Sequence, residues 1–260
     1  MPNTAAFWRD PALPHVESRR ACHSRACYKS HSHPTFSIGA VDAGGSVFTG
    51  SHGRQAALRV GSLVLVPAGC VHACNPLPDA LWSYQMLHLD AQWLRAHVPQ
   101  LCMNSASVLH VPALYAQFCT MNALLFSGAS MADKQDALLA FLHACADTSE
   151  MTALPSRAAR IPTQLEPVLQ ALRAQPQASL DSLSALAGMS RYQLIRAFRA
   201  ATGMTPHAYQ LNAHVNRARS GLQAGIALAQ LAHELGFADQ SHLQRVFKAH
   251  AGITPGRYRA

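Results

Sequence analysis

The sequence predicts a two-domain α+β chain: a small β-barrel or sandwich with trailing helices, then an all-α domain built on two helix-turn-helix units. Three observations predict it. Short β-rich runs are confined to the first half, helical punctuation repeats itself in the last hundred residues, and the two halves differ in charge. The length of 260 residues exceeds the ~100–150 of a typical single domain. A content of 49% apolar and 13% charged residues supplies real cores and excludes a disordered chain.

Between Ser37 and His88 the runs SIGAV, SVFTG, ALRVGSLVLVP and LWSYQMLHL are separated by Gly, Asn, Asp and Pro, the pattern of short strands and turns. From Ala113 to Asp147 the spacing becomes helical. Leu114, Phe118, Met121 and Leu125 form one stripe, and Leu138, Leu142 and Cys145 another. Those stripes need a covering surface, either the barrel itself or the same helices of a second chain. The segment TSEMTALPSRAARIP, Thr148–Pro162, has weak periodicity and two prolines. It divides the chain into a domain at 1–150, a linker at 151–162 and a domain at 163–260.

Beyond the linker each helix carries its own stop and start signals. Thr163 and Glu166 have the spacing of a capping box, ahead of Leu165, Val168, Leu169 and Leu172. Ser179 can cap a short helix with Leu180, Leu183, Leu186 and Ala187 on its apolar face, and Gly188 ends it. Ser190 then starts a helix that buries Leu194, Ala197 and Phe198 until Gly203 stops it. Thr205-Pro206 opens a connecting helix of ~17 residues, ~25 Å long, enough to set two recognition helices into successive major grooves.

The same punctuation then recurs at an offset of 48 residues before the turn and 49 after it. Leu180, Leu183, Ala187 and Gly188 match Leu228, Leu231, Leu235 and Gly236. Leu194, Arg196, Phe198, Gly203, Thr205, Pro206 and Tyr209 match Leu243, Arg245, Phe247, Gly252, Thr254, Pro255 and Tyr258. Repeats of this kind constrain a fold more than isolated motifs do. Charge follows the same division. Residues 1–156 hold nine basic and nine acidic side chains, and residues 157–260 hold twelve and four, so the whole net charge of +8 is C-terminal. A compact basic module attracts polyanions through counterion release.

With Gly236-Phe237, Ser241, Phe247-Lys248, Gly252 to Pro255 and Tyr258-Arg259 in place, residues 163–260 resemble the DNA-binding domain of the AraC/XylS family of transcription regulators. The resemblance implies that double-stranded promoter DNA is read early in the two recognition helices. The readers would be Arg191, Tyr192, Ile195 and Arg196 in the first, and Gln240, Ser241, Gln244 and Arg245 in the second. An arginine fork matches guanine O6 and N7 or clamps phosphate, and Ile195 can touch a thymine methyl or simply pack. Arg196 and Arg245 are the foremost candidates. Any of these arginines can instead be spent on an intramolecular ion pair.

A neutral first half points to a second task. All seven cysteines lie within the first 145 residues, an odd number without a disulfide pattern, and no leader or apolar run of ~18 residues appears, which leads us to expect a cytoplasmic protein. GSLVLVPAGCVH, Gly61–His72, resembles the second cupin motif, with Asn75 one place short of the usual Asn. His31-Ser32-His33 resembles the first, although Thr35, Phe36 and Ser37 stand where its acidic ligand belongs. Alternate strand residues share a face, so His31 with His33, and His72 with Cys74, can converge as ligands for Zn²⁺ or another transition metal, with Cys22 and Cys27 further off. The histidines can equally be buried remnants of a metal site.

The missing acidic ligand disfavours a cupin metalloenzyme, and the lack of a CxxC pair disfavours a DNA-repair alkyl acceptor. The reading is a non-enzymatic regulator, homodimeric by family resemblance, whose barrel senses a small molecule or metal. A constitutive DNA binder that uses the barrel only to dimerise is the alternative.

Overall fold

The chain is described by a computed structural model covering residues 4–51, 53–153, 161–174 and 177–259. Its N-terminal part places two antiparallel sheets face to face, the sandwich form of the expected barrel. One sheet has seven strands in the order β1 (Thr4–Trp8), β2 (Val16–Ser24), β8 (Trp82–Leu89), β3 (Phe36–Ala43), β6 (Leu63–Val66), β9 (Ser107–Leu109) and β10 (Thr152–Ala153). The other has β5 (Gln55–Arg59), β4 (Gly45–Gly50) and β7 (His72–Pro76).

The apolar run LVLV is β6, and it alternates between two cores. Leu63 and Leu65 join Ile38, Leu87 and Leu89 on one face, while Val64 and Val66 join Phe48, Trp82 and Tyr84 between the sheets. A strand buried on both sides reads as a continuous apolar run rather than an alternating one. The outer face of the large sheet is covered by α2 (Pro112–Leu125) and α3 (Met131–Asp147), which follow the short α1 (Ala91–His97). Leu114, Phe118, Met121, Leu125, Leu138, Leu142 and Cys145 all lie in that core. Of the two surfaces open to these stripes, the barrel takes them.

Strands β1 and β2 lie outside the sequence reading, which began at Ser37. The first is only five residues long. The second, VESRRACHS, sets arginines at half-buried positions, so hydrophobicity does not mark it. The pairing of β10 with β9 makes the opening of the expected linker part of the sheet. Residues 154–160 of that linker lie outside the described residues.

The C-terminal part contains α4 (Glu166–Ala174), α5 (Leu180–Ala187), α6 (Arg191–Thr202), α7 (Pro206–Gln223), α8 (Leu228–Glu234), α9 (Gln240–Ala251) and α10 (Pro255–Arg259). Two expectations are corrected. Thr163 forms no capping box with Glu166, because the chain enters α4 through a 3-10 turn over Thr163–Leu165 that follows Pro162. Leu186 is 51% exposed, since Leu183 and Ala187 complete the buried stripe and Leu186 falls beside it. Ser190, expected only to start α6, closes a full capping box: Gln193 N–H donates to Ser190 Oγ at 3.3 Å, and Ser190 N–H donates to Gln193 Oε1 at 2.9 Å.

The repeat is realised position by position. Ser190 and Asp239 cap α6 and α9, and Gly203 and Gly252 end them in the left-handed region at φ 82° and 71°, where a Cβ would be strained. Each unit owns a core, around Leu194 and Phe198 in the first and around Leu243 and Phe247 in the second. The connecting helix α7 lies between them and against the barrel.

Candidate functional site

Helix α7 has 18 residues and presents one polar face to the barrel at i, i+4, i+7 and i+11. Asn212 Nδ2 donates to Ser32 O at 3.2 Å and to Ser32 Oγ at 3.0 Å, and Asn216 Nδ2 donates to Ser32 O at 2.9 Å. Arg219 Nη1 donates to His33 Nδ1 at 2.9 Å, and Gln223 Nε2 donates to Glu17 Oε2 at 2.8 Å. The loop bearing the first histidine pair is therefore clamped directly onto the helix that joins the two helix-turn-helix units.

Behind this clamp His31, His33 and His72 meet. All three are buried, and their donor nitrogens lie within 4.8 Å of one another. Reciprocal backbone bonds between His31 and His72, at 2.9 and 2.8 Å, bring the two motifs together across the sandwich. His88, on β8, stands 5.0 Å from His33 ring to ring and bonds Ser37 Oγ through Nδ1 at 2.8 Å. Burial pushes the His31 and His33 values well below the usual imidazole range, helped by the neighbouring His72 and His31 respectively. Burial likewise takes His72 and His88 down to about 4, so all four rings are neutral at physiological pH.

Cys74 lines the same cavity but stands outside the set of mutually close donors, and burial pushes its thiol up to about 12. Cys22 and Cys27 are exposed and do not line that cavity. The histidine pocket shares Arg19, His33, His88 and Arg219 with a larger cavity of about 210 Å³ between the domains, which is also lined by Glu17, Gln223 and Tyr258. Burial alone would raise the Glu17 carboxyl, but His88, Arg9 and Arg219 outweigh it and hold the value below its ordinary range.

On the recognition helices, Arg191, Tyr192, Arg196, Gln240, Ser241, Gln244 and Arg245 are exposed, and Ile195 is half-buried. Arg191 is engaged in a two-pronged ion pair with Asp181 of α5, one contact measuring 2.5 Å. Arg196 is unpaired by any acid among the described residues and lies 5.5 Å from the Tyr192 ring centre. Tyr192 is 69% exposed, which is unusual for a large aromatic without a partner to cover it.

Comparison with known proteins decides the family. Residues 13–143 match the AraC-like ligand binding domain, and residues 183–260 match the helix-turn-helix domain. The chain belongs to the AraC family of transcription regulators. It is 24% identical over 250 residues to the HTH-type transcriptional regulator YbfI of Bacillus subtilis, covering 92% of this chain and 90% of that one. It is 26% identical over 191 residues to the RCS-specific activator RclR of Escherichia coli, covering 70% and 61%. Among solved structures, ToxT of Vibrio cholerae matches 99% of this chain and 96% of its own with a TM-score of 0.57 at 11% identity, a likeness of fold.

This AraC-family member is thus a DNA-binding regulator with a ligand-binding domain, and no described helix is long and apolar enough to cross a membrane. Sequence reasoning found the histidines but missed Glu17, His88, Asn212, Asn216 and Arg219. The polar i, i+4, i+7, i+11 face of α7 was the available signal, hidden because a connecting helix is expected to show only apolar periodicity.

Proposed function

We propose that an effector bound in the histidine-lined space between the domains changes how the two helix-turn-helix units are presented to promoter DNA, a shift between populations of the full chain. The observation that supports it is the clamp: the loop carrying His31 and His33 is bonded to α7 through Asn212, Asn216 and Arg219. Any ligand that moves this loop acts on the element joining both recognition helices. A barrel used only for pairing two chains gives no role to a buried histidine cluster that is bonded to that helix through His33.

On the DNA side, Arg196 and Arg245 occupy equivalent positions of the repeat and are both exposed, which supports them as the principal readers, with Tyr192, Gln240, Ser241 and Gln244 beside them. Ile195 is half-buried and offers at most an apolar contact. Selection of bound fragments from genomic DNA by the purified full chain tests the reading. A common sequence motif lost in Arg196→Ala/Arg245→Ala is the expected result, and recovery of unrelated fragments only would overturn it.

A further inference from the structure

We propose that His31, His33 and His72 form a three-histidine site for a divalent transition-metal ion, and that filling it expels Arg219 from His33. This rests on the effector reading above and names its chemistry. The donor set fits: three neutral imidazoles with room for a further ligand suit Zn²⁺, Cu²⁺, Ni²⁺ or Co²⁺ rather than the oxygen-seeking Mg²⁺ or Ca²⁺. The nitrogens, within 4.8 Å of each other, need to close toward the ~3.3 Å that bonds of ~2.0–2.1 Å impose in a tetrahedral site.

The hydrogen bonds decide which nitrogens are free. His31 Nδ1 lies 2.6 Å from Lys29 O, and His72 Nδ1 lies 3.0 Å from Cys70 O. A carbonyl only accepts, so both Nδ1 atoms carry the proton and both Nε2 atoms hold a lone pair, the arrangement that outer-shell carbonyls give metal-bound histidines. His33 is the odd one. A guanidinium only donates, so His33 Nδ1, at 2.9 Å from Arg219 Nη1, must accept, and its proton sits on Nε2.

His33 therefore cannot ligate while Arg219 stays. Binding through Nε2 moves the proton to Nδ1 and sets two donors against each other, and binding through Nδ1 takes the atom Arg219 uses. The ion's own charge adds repulsion in the same direction, since Arg219 and Arg19 both line the histidine pocket. Arg219 is poised to leave. Its Nε is buried without a hydrogen-bond partner, its other hydrogen bond is a 3.5 Å one to Asn216 on its own helix, and the Glu17 carboxylate of the shared cavity attracts its charge. Metal binding and the α7 clamp thus exclude each other at one side chain.

The test is titration of Co²⁺ into the full-length chain stripped with a chelator, followed by calorimetry and by the visible bands of nitrogen-bound Co²⁺. One ion per chain is expected, with the bands lost in His31→Gln and His72→Gln variants whose thermal melts match the wild type. Arg219→Gln replaces an obligate donor with an amide whose Oε1 can accept from a His33 Nδ1 proton, and should tighten Co²⁺ by about tenfold, the weight of one hydrogen bond. A merely structural arginine would instead weaken the site or leave it unchanged. Failure to bind Co²⁺ below millimolar concentration, or unchanged affinity in Arg219→Gln, overturns the proposal. DNA selection run on the same preparations separates the two readings: a chain that selects a motif but takes no metal refutes only the metal site, and one that takes metal but selects nothing refutes the effector reading.

Discussion

The two helix-turn-helix units are near copies in sequence and differ in what holds them. The first, with α4, packs a core around Leu194 and Phe198 that no barrel residue joins among the described residues, and it meets the barrel where Gly203 faces Ser51. The second draws Ala5 and Phe7 of β1 into its own core. It is also bonded by Arg9 Nη1 to Tyr258 O at 2.8 Å, by Arg19 Nη1 to Ala251 O at 2.8 Å, and by Lys29 N to Ala249 O at 3.3 Å. The repeat encodes two equal readers, and the barrel makes them unequal. On the effector reading proposed above, a signal from the histidine pocket would reach α7 and the second unit directly, and the first unit only through them.

Core truncation should expose that inequality most strongly. Phe198 and Phe247 are equivalent in the repeat and both fully buried, so Ala at either costs about 3–5 kcal/mol. Hydrogen exchange should rise only in the first unit for Phe198→Ala, but in the second unit and in β1 and β2 for Phe247→Ala. Equal, confined responses from both would mean that the second unit is not fused to the barrel. A milder cut is Phe7→Ala. Phe7 meets Tyr258 edge-on at 5.6 Å and lies beneath the guanidinium groups of Arg9 and Arg19. Its loss should cost about 2 kcal/mol and split thermal unfolding into two transitions, whereas a single unshifted transition would contradict the docking.

On DNA a like contrast separates the arginines of the two recognition helices. Arg196→Ala and Arg245→Ala should each weaken specific binding by roughly 1–3 kcal/mol, about 5- to 150-fold. Arg191→Ala should cost less, because Asp181 already occupies its guanidinium. Binding titrations at fixed salt check the order, and a larger loss at Arg191 would place the base contact there instead.

Much of this was legible from residue types and spacing. The αL glycines, the Ser190 cap and the doubled helix pattern are local signals, and local signals survive in a sequence. The meeting of His31 and His33 with His72 was also readable, since the two segments resemble the paired cupin motifs. What escaped was set by contacts between distant segments. Strand β2 carries Arg19 because that position faces the second unit and Arg20 because it lies over Phe126 at the end of α2, Leu186 is exposed because of where its helix packs, and Glu17 becomes a site residue only when α7 and α10 close over it.

Glu17 gives the finest test of the docked unit. Its carboxylate accepts from Arg9 Nε at 2.6 Å, Gln223 Nε2 at 2.8 Å and the Tyr258 hydroxyl at 3.3 Å, so one group ties β2 to α7 and α10. Its folded value lies below the ordinary 4.5, and the stabilisation it gives is therefore complete above that value and fades as pH falls through the folded value. Glu17→Gln keeps the shape and an acceptor but removes the charge. It should destabilise the interface by about 1 kcal/mol at neutral pH, and the gap in melting temperature between variant and wild type should close as both are acidified below 4.5. The first unit, which makes no contact with Glu17 among the described hydrogen bonds, should show no such convergence in its own hydrogen exchange. A gap that persists in acid would assign Glu17 a packing role, and the docking of the second unit would then rest on Phe7, Arg9 and Arg19 without it.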